Sequence, residues 1–164
     1  VEHYLTPLPP GAVAPDFTLN RTPDLTLSLH GLAGHPVILA FYPAAGEPVS
    51  REQLALYQEY LPQFERLDAR LLGISADFVW CNEAFAQEAR ITFPLLSDMP
   101  PRGQVSSSYG VYREPEELTA RALFVVDRSG IVRFGEVYPE LLNPGVNDLF
   151  TVLESLAAEE NTGV

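Results

Sequence analysis

The chain has almost none of the thiols that would staple it or clasp a metal. Its 164 residues include one cysteine, Cys81, and no lysine. A single thiol excludes an internal disulfide framework and any metal centre built from several cysteines. All ten basic residues are arginine, set against 22 acidic ones, for a net charge of -12. A surface this acidic repels phosphate backbones and anionic lipid, which argues against nucleic-acid and membrane partners. The lysine-with-glutamate enrichment that marks hyperthermophile proteins is missing as well. No stretch approaches the roughly 20 apolar residues of a membrane span, and the first residues show no basic head before an apolar run. A cytoplasmic setting is the default expectation. No self-similarity appears at periods of about 20 to 50 residues.

What is present is the composition of an ordinary globular protein, 46% hydrophobic and 20% charged. A chain of this length forms one domain, 1–164, able to bury about 70% of the surface its unfolded form exposes. Val1 to Gly11 carries Pro7, Pro9 and Pro10, so 1–10 reads as an extended arm. Ala14–Leu19 and Leu25–Leu29 alternate apolar and polar residues around a turn at Thr22-Pro23-Asp24, which predicts an N-terminal hairpin. Val37–Phe41 and Arg70–Ser75 are short apolar runs of the buried parallel kind. Between them, Leu54, Tyr57, Leu61, Phe64 and Leu67 form one helical stripe, with Pro62 predicting a kink or a split into two helices.

A second helix is expected from about Phe78 to Ala89, capped by Asp77 or Ser75. A short strand at Phe93–Asp98 and a short helix at Gly103–Tyr109 follow. Ala122–Val126 and Ile131–Phe134, around Asp127-Arg128-Ser129-Gly130, predict a second hairpin. Asn143 and Pro144 open a last helix through Leu156, and the small polar tail 159–164 is expected to fray. A βαβ unit followed by a ββα unit describes a thioredoxin-like α/β fold, a central mixed sheet flanked by helices. Pattern alone leaves this as one of several α/β arrangements.

The stretch Tyr42–Gln53 joins a buried strand to a helix N-terminus, where exposed N–H groups and the helix dipole favour negative charge. Ser50 stands at the helix entrance. Ser50-Arg51-Glu52-Gln53 fits a capping box, Ser50 holding the Gln53 N–H and the Gln53 side chain reaching back. No Gly-x-Ser-x-Gly elbow surrounds Ser50. His3, His30 and His35 lie in the arm and early loops, where solvated or locally bonded histidine is expected.

Six blocks carry a resemblance: Ala14-Pro15-Asp16-Phe17, Val37–Pro43, Leu72-Gly73-Ile74-Ser75, Phe93–Asp98, Tyr109-Gly110-Val111 and Arg121–Asp127. In order and approximate spacing they resemble the peroxiredoxins, the alkyl hydroperoxide reductase and thiol-specific antioxidant family, and come nearest to its one-cysteine E-type bacterial branch. The resemblance implies the peroxiredoxin variant of the thioredoxin-like fold, a thiol-dependent peroxidase, no cofactor or metal, a peroxide substrate, a thiol reductant and a homodimer. It also implies a motif, Pro-x-x-x-Thr-x-x-Cys, with a distant arginine that steadies the reacting anion. Laid on this chain, Pro43 matches the proline and Arg121 the arginine, but Glu47 stands at the threonine and Ser50 at the peroxidatic cysteine. Gly46 stands where relatives tend to carry an aromatic residue.

Oxygen does not replace sulfur in this chemistry. A cysteine starts near pKa ~8.5 and can be lowered into the range of roughly 3.5 to 7.5. An alcohol starts far higher, each tenfold change in its ionisation equilibrium costs about 1.4 kcal/mol, and a helix terminus supplies about 1 kcal/mol. Nor can a hydroxyl climb the sulfur oxidation ladder. Three readings follow from the residues and the resemblance. The first is a family member that has lost peroxide reduction at Ser50 and acts in binding or regulation, with Pro43, the helix start and Arg121 able to hold a small anion or carboxylate. The second is an active peroxidase bearing a laboratory cysteine-to-serine change. The third is a weak redox protein using Cys81 as its thiol. The coupled departures at Gly46 and Glu47 favour natural loss. For Cys81 the bland alternative is a small buried hydrophobe beside Trp80, and for Arg121 a salt bridge, with Glu47 a candidate partner.

Overall fold

The computed structural model describes residues 5–162. Its elements in chain order are β1 (Thr18–Thr22), β2 (Leu25–Ser28), β3 (Val37–Phe41), α1 (Pro48–Arg66), β4 (Arg70–Ser75), α2 (Val79–Ala89), β5 (Leu95–Ser97), α3 (Gln104–Ser108), β6 (Tyr112–Arg113), β7 (Leu118–Thr119), β8 (Ala122–Val126), β9 (Val132–Val137) and α4 (Asn147–Asn161). Seven strands form one sheet in the order β2-β1-β5-β4-β3-β8-β9, and β6 and β7 pair on their own. β3, β4 and β5 are parallel, while β1, β2, β8 and β9 join antiparallel, so the sheet is mixed.

β3 shows why its sequence is an unbroken apolar run. Successive side chains point to opposite faces of the sheet. Leu39 and Phe41 enter one core with Ile74, Tyr109 and Phe124. Ile38 and Ala40 enter the other, with Leu54, Tyr57 and Phe64 of α1 and Leu149 and Leu153 of α4. Both faces are covered, so neither set of positions can be polar. α3 and the segment around Leu5 and Leu8 help cover the first face. Gly73 on β4 is required by a close approach, since a Cβ there would lie 2.7 Å from Leu95 Cδ2 and 3.2 Å from the Tyr42 ring.

Several expectations are corrected. Of the two outcomes expected at Pro62, the split into two helices does not occur, since α1 runs unbroken through it. The lost bond to the Gln58 carbonyl is outweighed by Leu54, Tyr57 and Phe64, which bury the stripe on both sides of the proline. Tyr57 and Phe64 meet edge to face at 6.3 Å across it. The first strand begins at Thr18, because Ala14 instead donates its N–H to the Gly130 carbonyl at 2.9 Å. Neither Asp77 nor Ser75 caps α2. The Asp77 carboxylate accepts from the Ala45 N–H at 2.9 Å and the Ser75 hydroxyl at 2.7 Å.

The last helix starts at Asn147 because the Asn143 side chain closes a turn onto the Gly145 N–H, and Gly145 adopts φ 71°. Its end does not fray at 159. Helix continues to Asn161, with Glu159 paired to Arg133 and Glu160 to Arg128, while 163–164 lie outside the described residues. Of the arm, 1–4 lies outside the described residues and 5–10 crosses the surface, where the Leu8 N–H bonds to the Tyr109 carbonyl. The small β6–β7 hairpin has no counterpart among the sequence expectations. Among the described residues, no helix is long and apolar enough to cross a membrane.

Candidate functional site

The sheet places two distant segments side by side. β3 and β8 are antiparallel with Phe41 opposite Ala122, so the loop that leaves β3 emerges beside the residue that precedes β8. That residue is Arg121, which is completely buried. Its carbonyl accepts the Tyr138 N–H at 2.8 Å, which ties its backbone to the neighbouring chain segment.

Glu47, not Ser50, caps α1. Glu47 is extended (φ -80°, ψ 132°), Pro48 follows in the first turn, and the Arg51 N–H bonds to the Glu47 carbonyl at 3.0 Å. The Glu47 carboxylate accepts the Val49 N–H at 2.8 Å, the Ser50 N–H at 2.9 Å and the Ser50 hydroxyl at 2.8 Å. It also accepts from Arg121 Nη2 at 2.7 Å. Ser50 is therefore the third residue of the helix, in its first turn, as a donor to the cap, and the expected Ser50–Gln53 box does not form. The salt bridge between Arg121 and Glu47 does form.

Every N–H of Arg121 is used. Nη1 donates to the Ser50 hydroxyl at 3.2 Å and to Gln53 Oε1 at 2.8 Å, while Nε and Nη2 both reach the Glu140 carbonyl, at 3.0 and 2.7 Å. Gln53 then donates to the Tyr57 hydroxyl at 3.2 Å, which donates to the Gly145 carbonyl at 3.0 Å. Gln53 and Tyr57 belong to this network, although sequence reasoning assigns them only capping and packing roles. The signal that could have found them is spacing: positions 50, 53 and 57 share one helical face, and a glutamine there interrupts an apolar stripe.

Charge follows the geometry. Burial alone would raise the Glu47 carboxyl, but the Val49 and Ser50 N–H groups, the Ser50 hydroxyl and the Arg121 guanidinium together hold it down to about 2. Burial pushes the Tyr57 phenol up, so it stays un-ionised. A carboxylate held that low is a poor base at neutral pH, so its contact with the Ser50 hydroxyl does not make an activated nucleophile. The chemistry available to the cluster is tight retention of one carboxylate by N–H donors, a hydroxyl and a guanidinium.

The other candidates are placed differently. Pro43 lies half-buried in the loop between β3 and α1. Cys81 sits in the first turn of α2 and is exposed, which overturns the expectation of a buried thiol. No hydrogen bond joins it to the Glu47–Arg121 cluster among the described residues. The Asp77 bond to the Ala45 N–H nevertheless fastens the loop before α2 to the loop before α1. His35 is neither solvated alone nor locally bonded, since its ring lies 3.1 Å from the Asp68 carboxylate, 33 residues on, and His3 lies outside the described residues.

Residues 10–134 match the model of the AhpC/TSA family. The chain is 41% identical over 128 residues to alkyl hydroperoxide reductase E of Mycobacterium tuberculosis, covering 77% of this chain and 84% of that one. It is 34% identical to the chloroplastic peroxiredoxin Q of Triticum aestivum over 128 residues, 76% of this chain and 57% of the other. Among solved structures, Enterococcus faecalis AhpC superposes with a TM-score of 0.85 at 24% identity, covering 94% and 96% of the two chains. Peroxidoxin BcpB of Mycobacterium tuberculosis superposes with a TM-score of 0.76 at 28% identity, covering 91% and 96%. The architecture is thus the thioredoxin-like peroxiredoxin fold.

Proposed function

The chain belongs to the AhpC/TSA family of peroxiredoxins, and from that membership we propose that it is a member whose peroxidatic position is Ser50 and which acts by binding or regulation rather than by reducing peroxide there. One observation carries this: the Glu47 carboxylate already lies on the helix N–H groups, the Ser50 hydroxyl and Arg121. Those are the donors that a thiolate or an incoming peroxide oxygen at this helix start would need. An internal anion takes the place of an external one, and the residue beside it has no sulfur to oxidise. The pairing of Glu47 with Arg121 also favours natural loss over a single laboratory substitution, since a cysteine at 50 would still face an occupied cradle. The ligand class this reading assigns to the site is a small anion or carboxylate that displaces Glu47, and the assembly it assigns is a homodimer.

Peroxide consumption by the purified chain, by Ser50→Cys and by Ser50→Cys combined with Glu47→Thr tests the proposal. The parent and the single variant should be slow, because the carboxylate repels a thiolate and engages Arg121, while the double variant should gain rate. Fast turnover by the parent or by Ser50→Cys alone would sink it. A second reading, weak redox chemistry at Cys81, rests on the exposure of that thiol. Mass spectrometry after mild peroxide treatment separates the two, since sulfenic acid or a mixed disulfide at Cys81 supports the second.

A further inference from the structure

We propose that the cleft at the opposite end of the sheet from Glu47 binds a small apolar amine, a ligand with an aromatic or branched hydrocarbon body and one ammonium group. Val37 begins β3, Val126 ends β8, and the two are paired. They lie at the far end of the five-residue strand whose other end leads to the Glu47–Arg121 cluster, roughly 13 Å or more along the sheet. A cavity of about 360 Å³ opens there between the segment at Val13–Asp16, the turn through His30–His35 and the turn joining β8 to β9. That volume is within the roughly 300 to 1,000 Å³ of small-molecule sites.

The cavity is built before any ligand arrives. Its floor is the buried apolar set Ala14, Leu29, Val37 and Val126. Each wall is tied to another by a hydrogen bond: Ala14 N–H to the Gly130 carbonyl at 2.9 Å, Gly34 N–H to the Arg128 carbonyl at 3.1 Å, and His30 N–H to Asp16 Oδ1 at 2.9 Å. Such fixed walls cost little to order on binding.

The rim selects the charge of the ligand. Asp16 and Asp127 both belong to the lining, but the Asp127 carboxylate is taken by the Ser129 and Ile131 N–H groups and by Arg133 at 3.3 Å, which leaves Asp16 as the acceptor at the rim. Asp16 makes no second side-chain hydrogen bond among the described residues. The one guanidinium in the lining, Arg128, is already paired: Nε and Nη2 donate to Glu160, and Nη1 donates to Asp68 and to the Gly34 carbonyl. An anion would find the guanidiniums of Arg128 and Arg133 already paired to carboxylates, whereas an ammonium meets the Asp16 carboxylate. The chain's net charge of -12 draws cations toward it.

Titrating the full chain with benzylamine, benzyl alcohol and benzoate, read by amide and methyl NMR shifts, tests this. Benzylamine should give saturable shifts clustered at Val13, Leu29, Leu32, Val126 and Ser129, with benzyl alcohol up to about fivefold weaker, the upper scale of one exposed ion pair, and benzoate weaker still. Asp16→Asn keeps an oxygen for the His30 N–H and should erase the preference for the amine. Ala33→Phe, at an exposed position on the rim, should block all three ligands. Absence of saturable shifts in the millimolar range, shifts scattered over the acidic surface, equal affinity for alcohol and amine, or binding unchanged in Ala33→Phe would overturn the proposal.

Discussion

Replacing Glu47 removes the counter-charge of a guanidinium that is completely buried, and the cost can be estimated from its partners. Stripping one member from a buried ion pair costs about 3 to 5 kcal/mol. Here the figure belongs below that range, at about 2 to 3 kcal/mol, because the Glu47 side chain is 27% exposed and screened. The Ser50, Gln53 and Glu140 oxygens also still receive the other bonds of Arg121. Glu47→Ala additionally loses the helix cap, about 1 kcal/mol, for a total of about 3 to 4 kcal/mol. Glu47→Gln keeps an acceptor oxygen and should lose only about 2 kcal/mol, by the difference between a charged and a neutral acceptor. Urea unfolding at pH 7 measures both, and in a thermal scan the alanine variant should melt about 10 °C lower.

The pH dependence provides a second check on the same residue. The folded carboxyl is held at about 2 against an ordinary 4.5, so its contribution is fully present above 4.5 and is lost as pH falls toward 2. The gap between parent and Glu47→Gln should therefore be constant from neutral pH down to about 5 and shrink below it. A Glu47→Gln variant within about 0.5 kcal/mol of the parent at pH 7, or a gap that ignores acid, would refute the claim that this carboxylate neutralises Arg121.

Tyr57→Phe removes the hydroxyl between Gln53 and the Gly145 carbonyl; it should cost about 1 to 2 kcal/mol and speed amide exchange near Gly145, as read by hydrogen-exchange mass spectrometry. Gly73→Ala drives a methyl to 2.7 Å from Leu95 and should destabilise by about 1 to 3 kcal/mol in denaturant titration, with the near-ultraviolet signal of Tyr42 disturbed. Cys81 should react with a thiol reagent in the folded protein, one equivalent per chain and without denaturant, because it is exposed; protection until unfolding would contradict that placement.

The hairpins, the buried strands at Val37 and Arg70 and the α1 stripe are legible because each is written in a local period. A run covered on both faces must be apolar throughout, and a helix must repeat its apolar positions every three or four residues. The same local rules misplace the start of α1. Serine ranks high as a cap and glutamate does not, so local pattern points to Ser50. Glu47 wins because Arg121, 74 residues away, fixes its carboxylate over the first turn. The start of the last helix is missed for a similar reason, since the Asn143 and Gly145 turn is held from outside by Tyr57. The apolar neighbour Trp80 suggests a buried Cys81, yet both residues are exposed in the structure.

By itself the sequence determined the family blocks, the order of the elements other than β6 and β7, and a candidate strand-to-helix turn at the end of β3, all of which depend on residues close together in the chain. It also determined that position 50 holds oxygen rather than sulfur, which limits the chemistry whatever the fold. The resemblance already grouped Arg121 with Glu47 and Ser50, but only the tertiary structure decided that Gln53 and Tyr57 join them in one hydrogen-bonded cluster with Glu47 as the helix cap. The contact depends on the antiparallel pairing of β3 with β8, which brings together residues that no local period in the sequence relates.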